Sequence, residues 1–192
     1  LAKKDINIAS TEFIEKGDNI TLKLLFEKTQ WNEAVLKPAI SGAARHTYRI
    51  NSKNYQKQEK IFKKLIKVEG MLFQKFLKNI TSLGEISLIM IGGKYTHAVK
   101  KKAKKGDFRV QDDHGGKVEK YKPTNDEIIF AKNCLKATPF DPIYARVDIV
   151  YDNNNRISLS EIELIEPELW LRNNTISAEL LADEISNLKS SI

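Results

Sequence analysis

The stretch RVDIVYDNNNRISLSEIELIEPE, residues 146–168, sets Asp148, Glu161, Glu163, Glu166 and Glu168 among apolar residues of the kind that fill a core. A buried carboxylate without a partner is expensive, so these acids need something opposite them. Strand side chains alternate between faces. Tyr144, Arg146, Asp148 and Val150 share one face of YARVDIVY, and Ile157, Leu159, Glu161 and Glu163 share one face of RISLSEIEL. The DNNN between them is turn chemistry. With Tyr151 opposite Arg156, Arg146 lies opposite Glu161 and Asp148 opposite Leu159. Opposed residues point the same way, so Arg146, Asp148, Glu161 and Glu163 converge on one surface; a one-residue bulge breaks that register. Grouped carboxylates repel, and one takes up a proton unless a cation sits among them. Arg146 answers one acid. A hard divalent ion such as Mg2+, which takes carboxylate and phosphate oxygens together, answers the rest. A salt-bridged sheet edge facing water is the alternative, and the acids' place inside an apolar strand favours the metal. Glu166 and Glu168 flank Pro167 beyond the strand and read as solvated.

A metal that also binds phosphate needs cations and backbone donors nearby. Lys37 ends the strand NEAVLKPAI, and the small loop Ser41-Gly42-Ala43-Ala44 follows it. Such a loop lets backbone N–H groups approach phosphate oxygens. Lys100, Lys101, Lys102, Lys104, Lys105 and Arg109 add positive charge. Most of this run reads as a solvated loop, because only alternate residues of AVKKK can face a site. His97 and His114 have no visible partner and read as structural or loop residues. Cys134 falls in a predicted helix and reads as core.

These residues have to be positioned by elements that the pattern makes visible. NYQKQEKIFKKLIKVEG is an amphipathic helix with Ile61, Phe62, Leu65, Ile66 and Val68 on one side, ended by Gly70. MLFQKFL is a buried strand. EISLIMI and YTHAVKK are strands joined by Gly92-Gly93-Lys94, a hairpin signal. Thr124 with Glu127 forms a capping box for a helix to about Lys136. SAELLADEISNLKSS is a last helix with Ser177 as N-cap. Strands and helices without regular βαβ alternation predict an α+β fold, with a small lobe over 1–77 and a larger sheet-based lobe over 78–192.

The chain has 192 residues, 41% of them hydrophobic, and a net charge of +7. That supports a core and an anionic partner. The single cysteine excludes a disulfide framework and a Cys-cluster metal site. No apolar run is long enough to span a membrane. The composition fits a reducing cytoplasm. The start at Leu1 points to a segment removed upstream.

VLKP, FQKFL, GEISLIMIGGKYTHAVKKKAKKGDFRVQDDHGG, ARVDIV and SEIELIEP, in that order, resemble the ATP-grasp ligases, in particular the glutathione-synthetase-like ATP-binding domain. Glutamate ligases that tail a ribosomal protein and cyclo-ligases that form cycloserine share parts of this wording. The resemblance runs from about Ile6 to the last helix. It implies two α+β lobes with the nucleotide site between them. It also implies ATP with Mg2+ (two ions, Mn2+ as a substitute), and ligation of small-molecule carboxylate and amine substrates through an acyl phosphate. By resemblance, Lys37 contacts phosphates and Ser41 and Gly42 lie in the phosphate-covering loop. Gln74, Lys75, Phe76 and Leu77 frame adenine, Glu85 holds the ribose, and Lys101 lies near the terminal phosphates. Arg109 and Arg146 stabilise the reacting groups, and Asp148, Glu161 and Glu163 bind metal. Relatives often have Asn where Glu163 stands, and Asn where Gln111 stands. They also carry a further N-terminal domain, which places this chain as a portion of a ligase. Formation of a homo-oligomer is left open.

Two other readings fit part of the sequence. A basic nucleic-acid-binding domain would use the KKKAKK run, with Tyr95 and Tyr121 stacking on bases. A non-catalytic ATP-grasp module would bind nucleotide without turnover.

Overall fold

The computed structural model describes residues 1–42, 44–104, 106–110 and 115–189. Lys105, Gln111, His114, Ala43 of the small loop and the last residues of the final helix segment lie outside them. The chain divides into a small unit, Ala9–Phe76, and a large unit, Leu1–Ile8 with Leu77–Ile192. Leu1–Ile8, expected in the small lobe, groups with the large unit because Ile6 packs in its core and Leu159 N donates to Asn7 O at 2.8 Å.

The small unit is an antiparallel sheet of β1 (Thr11–Ile14), β2 (Glu33–Pro38), β3 (Tyr48–Asn51) and β4 (Met71–Lys75), in the order β1-β4-β2-β3. Alternation in β2 sends Ala34 and Leu36 inward. There they meet Ile14, Ile50, Met71 and Phe73 under helices α1 (Leu22–Thr29) and α2 (Gln56–Leu65). The sequence reading does not single out α1. It is eight residues long, with Leu22, Leu25 and Phe26 spaced for one buried face and Thr21 Oγ1 accepting from Leu24 N at 3.2 Å. Helix α2 stops at Leu65 rather than at Gly70. Phe62, Leu65 and Ile66 are buried, while Ile61 and Val68 are exposed. The apolar stripe is therefore narrower than the sequence suggests.

In the large unit, β5 (Glu85–Ile91), β6 (Lys94–Lys102), β7 (Lys117–Tyr121), β8 (Tyr144–Tyr151) and β9 (Ile157–Glu163) form an antiparallel sheet in the order β7-β6-β5-β8-β9. A short helix, α3 (Asn79–Leu83), precedes β5. Gly92 and Gly93, with φ of 55° and 71°, make the hairpin turn that pairs Ile91 with Lys94; two successive positive φ values are what such a turn requires. One face of the sheet, with Leu88, Met90, Val147 and Ile149, packs on Ala131, Cys134 and Leu135 of α4 (Asn125–Lys136). Burial pushes the Cys134 thiol up to about 12, which makes it core rather than nucleophile. The other face carries Ile89, Ile91 and Val99 against Leu169, Trp170, Leu171 and Leu181, the last from α5 (Thr175–Lys189).

Helix α4 starts with the expected capping box of Thr124 and Glu127. Glu127 is fully buried, and its carboxylate also accepts from Tyr121 and Tyr151 hydroxyls, the latter at 2.9 Å. Burial and that carboxylate raise the Tyr151 hydroxyl to about 12. Glu127→Ala strands these hydroxyls and the Thr124 N–H. It is expected to lower the unfolding free energy by about 3 kcal/mol or more in urea titration.

Helix α5 begins at Thr175, so Ser177 is not its N-cap. Ser177 Oγ instead lies 3.1 Å from His97 Nδ1, and His97 Nε2 lies 2.9 Å from Leu169 O. The carbonyl needs a donor, so Nε2 carries the proton and Nδ1 accepts from Ser177. Burial holds the His97 pKa below its ordinary value, against the pull of the Leu169 and Trp170 backbone. With the folded pKa below the unfolded value of about 6.5, stability is expected to fall as pH drops below that value. His97→Gln should flatten this slope in thermal melts between about pH 7.5 and 5.5, a range spanning the unfolded value. No described helix is long and apolar enough to cross a membrane.

Candidate functional site

The β8–β9 hairpin delivers the acids to one face by a route the sequence does not reveal. Asp152 shapes the turn: Oδ1 accepts from Asn154 N at 2.8 Å and Arg156 N at 3.0 Å. Tyr151 pairs with Ile157, not with Arg156. That offset alone would turn Glu161 and Glu163 to the opposite face. A bulge then leaves Ser160 between Leu159, opposite Ile149, and Glu161, opposite Asp148. The extra residue restores the parity. Arg146 ends up opposite Glu163 and Asp148 opposite Glu161, correcting the expected Arg146–Glu161 and Asp148–Leu159 pairings. The convergence of Arg146, Asp148, Glu161 and Glu163 stands, with different partners.

Strands β5 and β6 add two more charged residues. Glu85 is the cross-strand partner of Lys101, and Ser87 that of Asp148. Lys101 is 7% exposed and Asp148 is 0% exposed. The Lys101 ammonium pairs with Glu85 Oε1, and lies 3.1 Å from Asp148 Oδ2. Burial on its own would favour loss of the Lys101 proton. The carboxylates of Glu85 and Asp148 outweigh that and hold the ammonium charged, its pKa well above the ordinary value. Ser160 Oγ donates to Glu85 Oε2 at 2.8 Å.

Arg146 does more than answer one acid. Its Nε lies 3.1 and 3.0 Å from the two Asp148 oxygens, and its Nη2 lies 2.5 Å from Glu163 and 3.5 Å from Glu161. Among the described residues, Glu85, Asp148, Glu161 and Glu163 oppose Lys101 and Arg146 in this cluster, a formal excess of two negative charges. Crowding by protein atoms, then the charges of Asp148 and Glu85, raise the Glu161 carboxyl above the usual range, against Arg146. The Glu161 side chain keeps 61% of its surface in solvent, so water screens that effect. The donors are all carboxylate oxygens with a divalent excess of negative charge, and Glu161 opens to solvent. That chemistry fits a hard divalent cation. Among the described residues no three His, Cys, Asp or Glu are gathered as a ready-made ligand group; Arg146 stands among these acids.

The other residues named from the sequence fall in separate places. In the small unit, Lys37 lies opposite Leu72 on the face of the sheet away from the core. Ser41 and Gly42 are exposed. The loop around them is folded on itself. Ser41 Oγ donates to Arg45 O at 3.1 Å, Arg45 Nη2 donates to Ile40 O at 3.2 Å, and the Arg45 guanidinium grips Glu69 at 3.0 and 2.6 Å. Gln74 donates to Thr11 Oγ1 at 2.9 Å. Lys75 N and Phe76 N donate to Ser10 O and Glu33 O, and the buried Phe76 ring lies 4.0 Å from the Arg49 guanidinium carbon. In the large unit, Leu77 is half-buried at its first residue after the small unit. Arg109 is held by Asp107, Nη2 to Oδ2 at 2.7 Å, and that contact keeps the Asp107 carboxyl well below the usual range. Glu166 and Glu168 are both exposed, as expected, and Glu168 accepts from Trp170 N at 2.5 Å and Arg172 at 3.1 Å.

The basic run is not a uniform surface strip. Lys101 is buried, Lys102 pairs with Glu119 at 2.7 Å, and Lys100 lies over the Tyr121 ring. Tyr121 gives its hydroxyl to Glu127, and Tyr95 packs on the core. The two aromatics proposed to stack bases are thus engaged within the unit. Sequence reasoning missed Ser87, Asp107 and Trp170. Trp170 sits beyond the last strand, where neither periodicity nor charge signals a role.

The profile of the RimK-like ATP-grasp domain matches residues 1–175. Among curated proteins none matches. Solved structures match over nearly the whole chain. The D-cycloserine synthetase DcsG aligns with a TM-score of 0.84 and 20% identity, over 97% of this chain and 66% of that one. D-alanine–D-alanine ligase from Bacillus anthracis aligns with a TM-score of 0.73 and 17% identity, over 97% and 63%. The ATP-grasp ligase PsnB, complexed with minimal precursor, Mg and ADP, aligns with a TM-score of 0.68 and 13% identity, over 96% and 55%. The chain therefore spans 55–66% of the length of these structures. At these identities the likeness concerns the fold. With most of the chain matched by one profile and an α+β, two-sheet architecture, this protein belongs to the RimK-like ATP-grasp domain family.

Proposed function

We propose that the chain is the nucleotide-binding and catalytic portion of an ATP-dependent ligase that joins a carboxylate to an amine through an acyl phosphate. The observation that carries this reading is the network of Glu85, Lys101, Asp148, Arg146, Glu161 and Glu163, with a formal excess of two negative charges, on one sheet face of an ATP-grasp chain. Asp148, Glu161 and Glu163 would hold Mg2+, which when bound neutralises phosphate oxygens. Lys37 and the Ser41–Gly42 loop of the small unit would bind phosphates, and Gln74, Lys75, Phe76 and Leu77 the base. Glu85 would hold the ribose with the acceptor capacity left on its two oxygens, one of which pairs with Lys101 and the other of which accepts from Ser160.

The chemistry is displacement at phosphorus. A carboxylate oxygen attacks the terminal phosphorus and ADP leaves with the bridging oxygen. The amine then attacks the acyl carbon, phosphate leaves, and the amine gives up a proton. Positioning and charge neutralisation carry most of such a reaction. Arg146 and Arg109 would stabilise the oxygens that gain charge, and Lys101 stays protonated to do the same.

The test is a screen of amino-acid pairs for release of ADP and phosphate, using the longest form of the protein that expresses. Release that depends on both substrates, and is lost in Asp148→Asn and Arg146→Ala, supports the reading. Release indifferent to both substitutions sinks the site. ATP binding without turnover leaves a binding module.

A further inference from the structure

Four buried side-chain polar atoms lack a hydrogen-bond partner among the described residues. Two, Gln58 Oε1 and Glu59 Oε1, lie on α2. The other two, Ser87 Oγ and Trp170 Nε1, both border the charged face of the large sheet. Ser87 is the cross-strand partner of Asp148 and is 0% exposed. The Trp170 ring is 5% exposed and lies 5.9 Å from Lys101 Nζ and 5.8 Å from Arg146 Cζ, the two cations that hold Asp148. A buried N–H without an acceptor is rare in a native structure and costs desolvation free energy. Trp170 carries a second anomaly: its backbone is left-handed, at φ 46° and ψ 39°. For a bulky residue that conformation is an outlier, and such strain gathers where a structure serves a ligand. The residues on either side of Trp170, Glu166, Pro167, Glu168, Leu169, Leu171 and Arg172, line an open concavity.

We infer that Trp170 is a substrate-binding residue whose indole N–H donates to an anionic oxygen of the group being activated, a carboxylate or its acyl phosphate, beside Arg146 and Lys101. This rests on the ligase reading and names a residue and ligand class within it. An N–H that can only donate needs an acceptor, and two cations 5.9 and 5.8 Å from the ring centre favour an oxyanion as that acceptor. The ring serves the same end by holding both cations through its face. Ser87, a hydroxyl under the same ion pairs, supplies the second unpaired polar atom of this face.

The chain has two tryptophans, so Trp31→Phe leaves Trp170 as the sole fluorophore. Acetyl phosphate, added without nucleotide, is expected to change Trp170 emission saturably. Calorimetry should show acetyl phosphate binding weakened about 10- to 100-fold in Trp170→Phe, the range for a hydrogen bond to a charged group. That variant keeps a ring face and loses only the donor, and its ATP–Mg2+ affinity should stay at the wild-type value. Unchanged acetyl phosphate affinity in folded Trp170→Phe, or no emission response in Trp31→Phe, overturns the inference. Should Trp170→Phe not fold, the emission arm still decides. Failure of wild type to bind ATP–Mg2+ would overturn the ligase reading instead, and the acetyl phosphate arms are separate from it.

Discussion

Asp148→Asn is expected to abolish the thermal stabilisation that ATP with Mg2+ gives the wild-type chain. At about 100 times the dissociation constant a ligand adds about 2.7 kcal/mol, or roughly 5–10 °C for a chain of this size. Asp148 is the fully buried member of the acid set and the one acid touched by both Lys101 and Arg146. The amide keeps the shape and one acceptor but removes the charge. Two consequences should appear together. The ligand-induced shift falls to near zero, because the proposed metal site loses a carboxylate donor. The melting point without ligand also falls, by the equivalent of about 3 kcal/mol, because two buried cations lose a shared counter-charge. Melts of both proteins with and without ATP and Mg2+ separate these effects. An undiminished nucleotide shift in the variant would falsify the metal assignment.

Arg146→Ala should be as damaging to turnover and opposite in its response to metal. Removal of one donor aimed at developing charge lowers turnover by about 100- to 1000-fold. Arg146 also stands among Asp148, Glu161 and Glu163, in reach of all three. Without it the cluster's formal excess rises by one negative charge, and the acids are left facing each other. Mg2+ without nucleotide should therefore raise the melting point of Arg146→Ala by more than that of wild type. An equal response in the two proteins would mean that Arg146 does not compete with metal for these acids. A phosphate-release assay supplies the turnover arm.

The elements that hold this site were legible where chemistry is local. The Gly92-Gly93 turn, the Thr124–Glu127 capping box and the shared face of Arg146 and Asp148 each depend on near neighbours, and each appears as read, whereas the Ser160 bulge turns Ile157 and Leu159 to the face opposite Glu161 and Glu163, with which the sequence pattern had grouped them. The N-terminal segment was misassigned because its partner, Leu159, is about 150 residues away and no local pattern points to it. Ser177 had cap chemistry, but His97, distant in sequence, took its hydroxyl. Charge pattern alone does not separate Lys101 from its run, and the family resemblance places it near the terminal phosphates; only the pairing of β6 with β5 reveals that it is buried on two acids.

What the sequence determined by itself was which residue types share a face. Alternation along a strand is local geometry, so Arg146 with Asp148, and Glu161 with Glu163, were bound to point together. What only the tertiary structure decided was who stands opposite whom. A five-residue turn shifted the register and the Ser160 bulge shifted it again. The two shifts cancel in parity but not in pairing, so the acids kept their face and exchanged partners. The packing of the Leu169–Leu171 segment then set Trp170 against Lys101 and Arg146. That contact joins residues about 24 and 69 positions apart, a separation at which side-chain packing rather than local preference decides what meets.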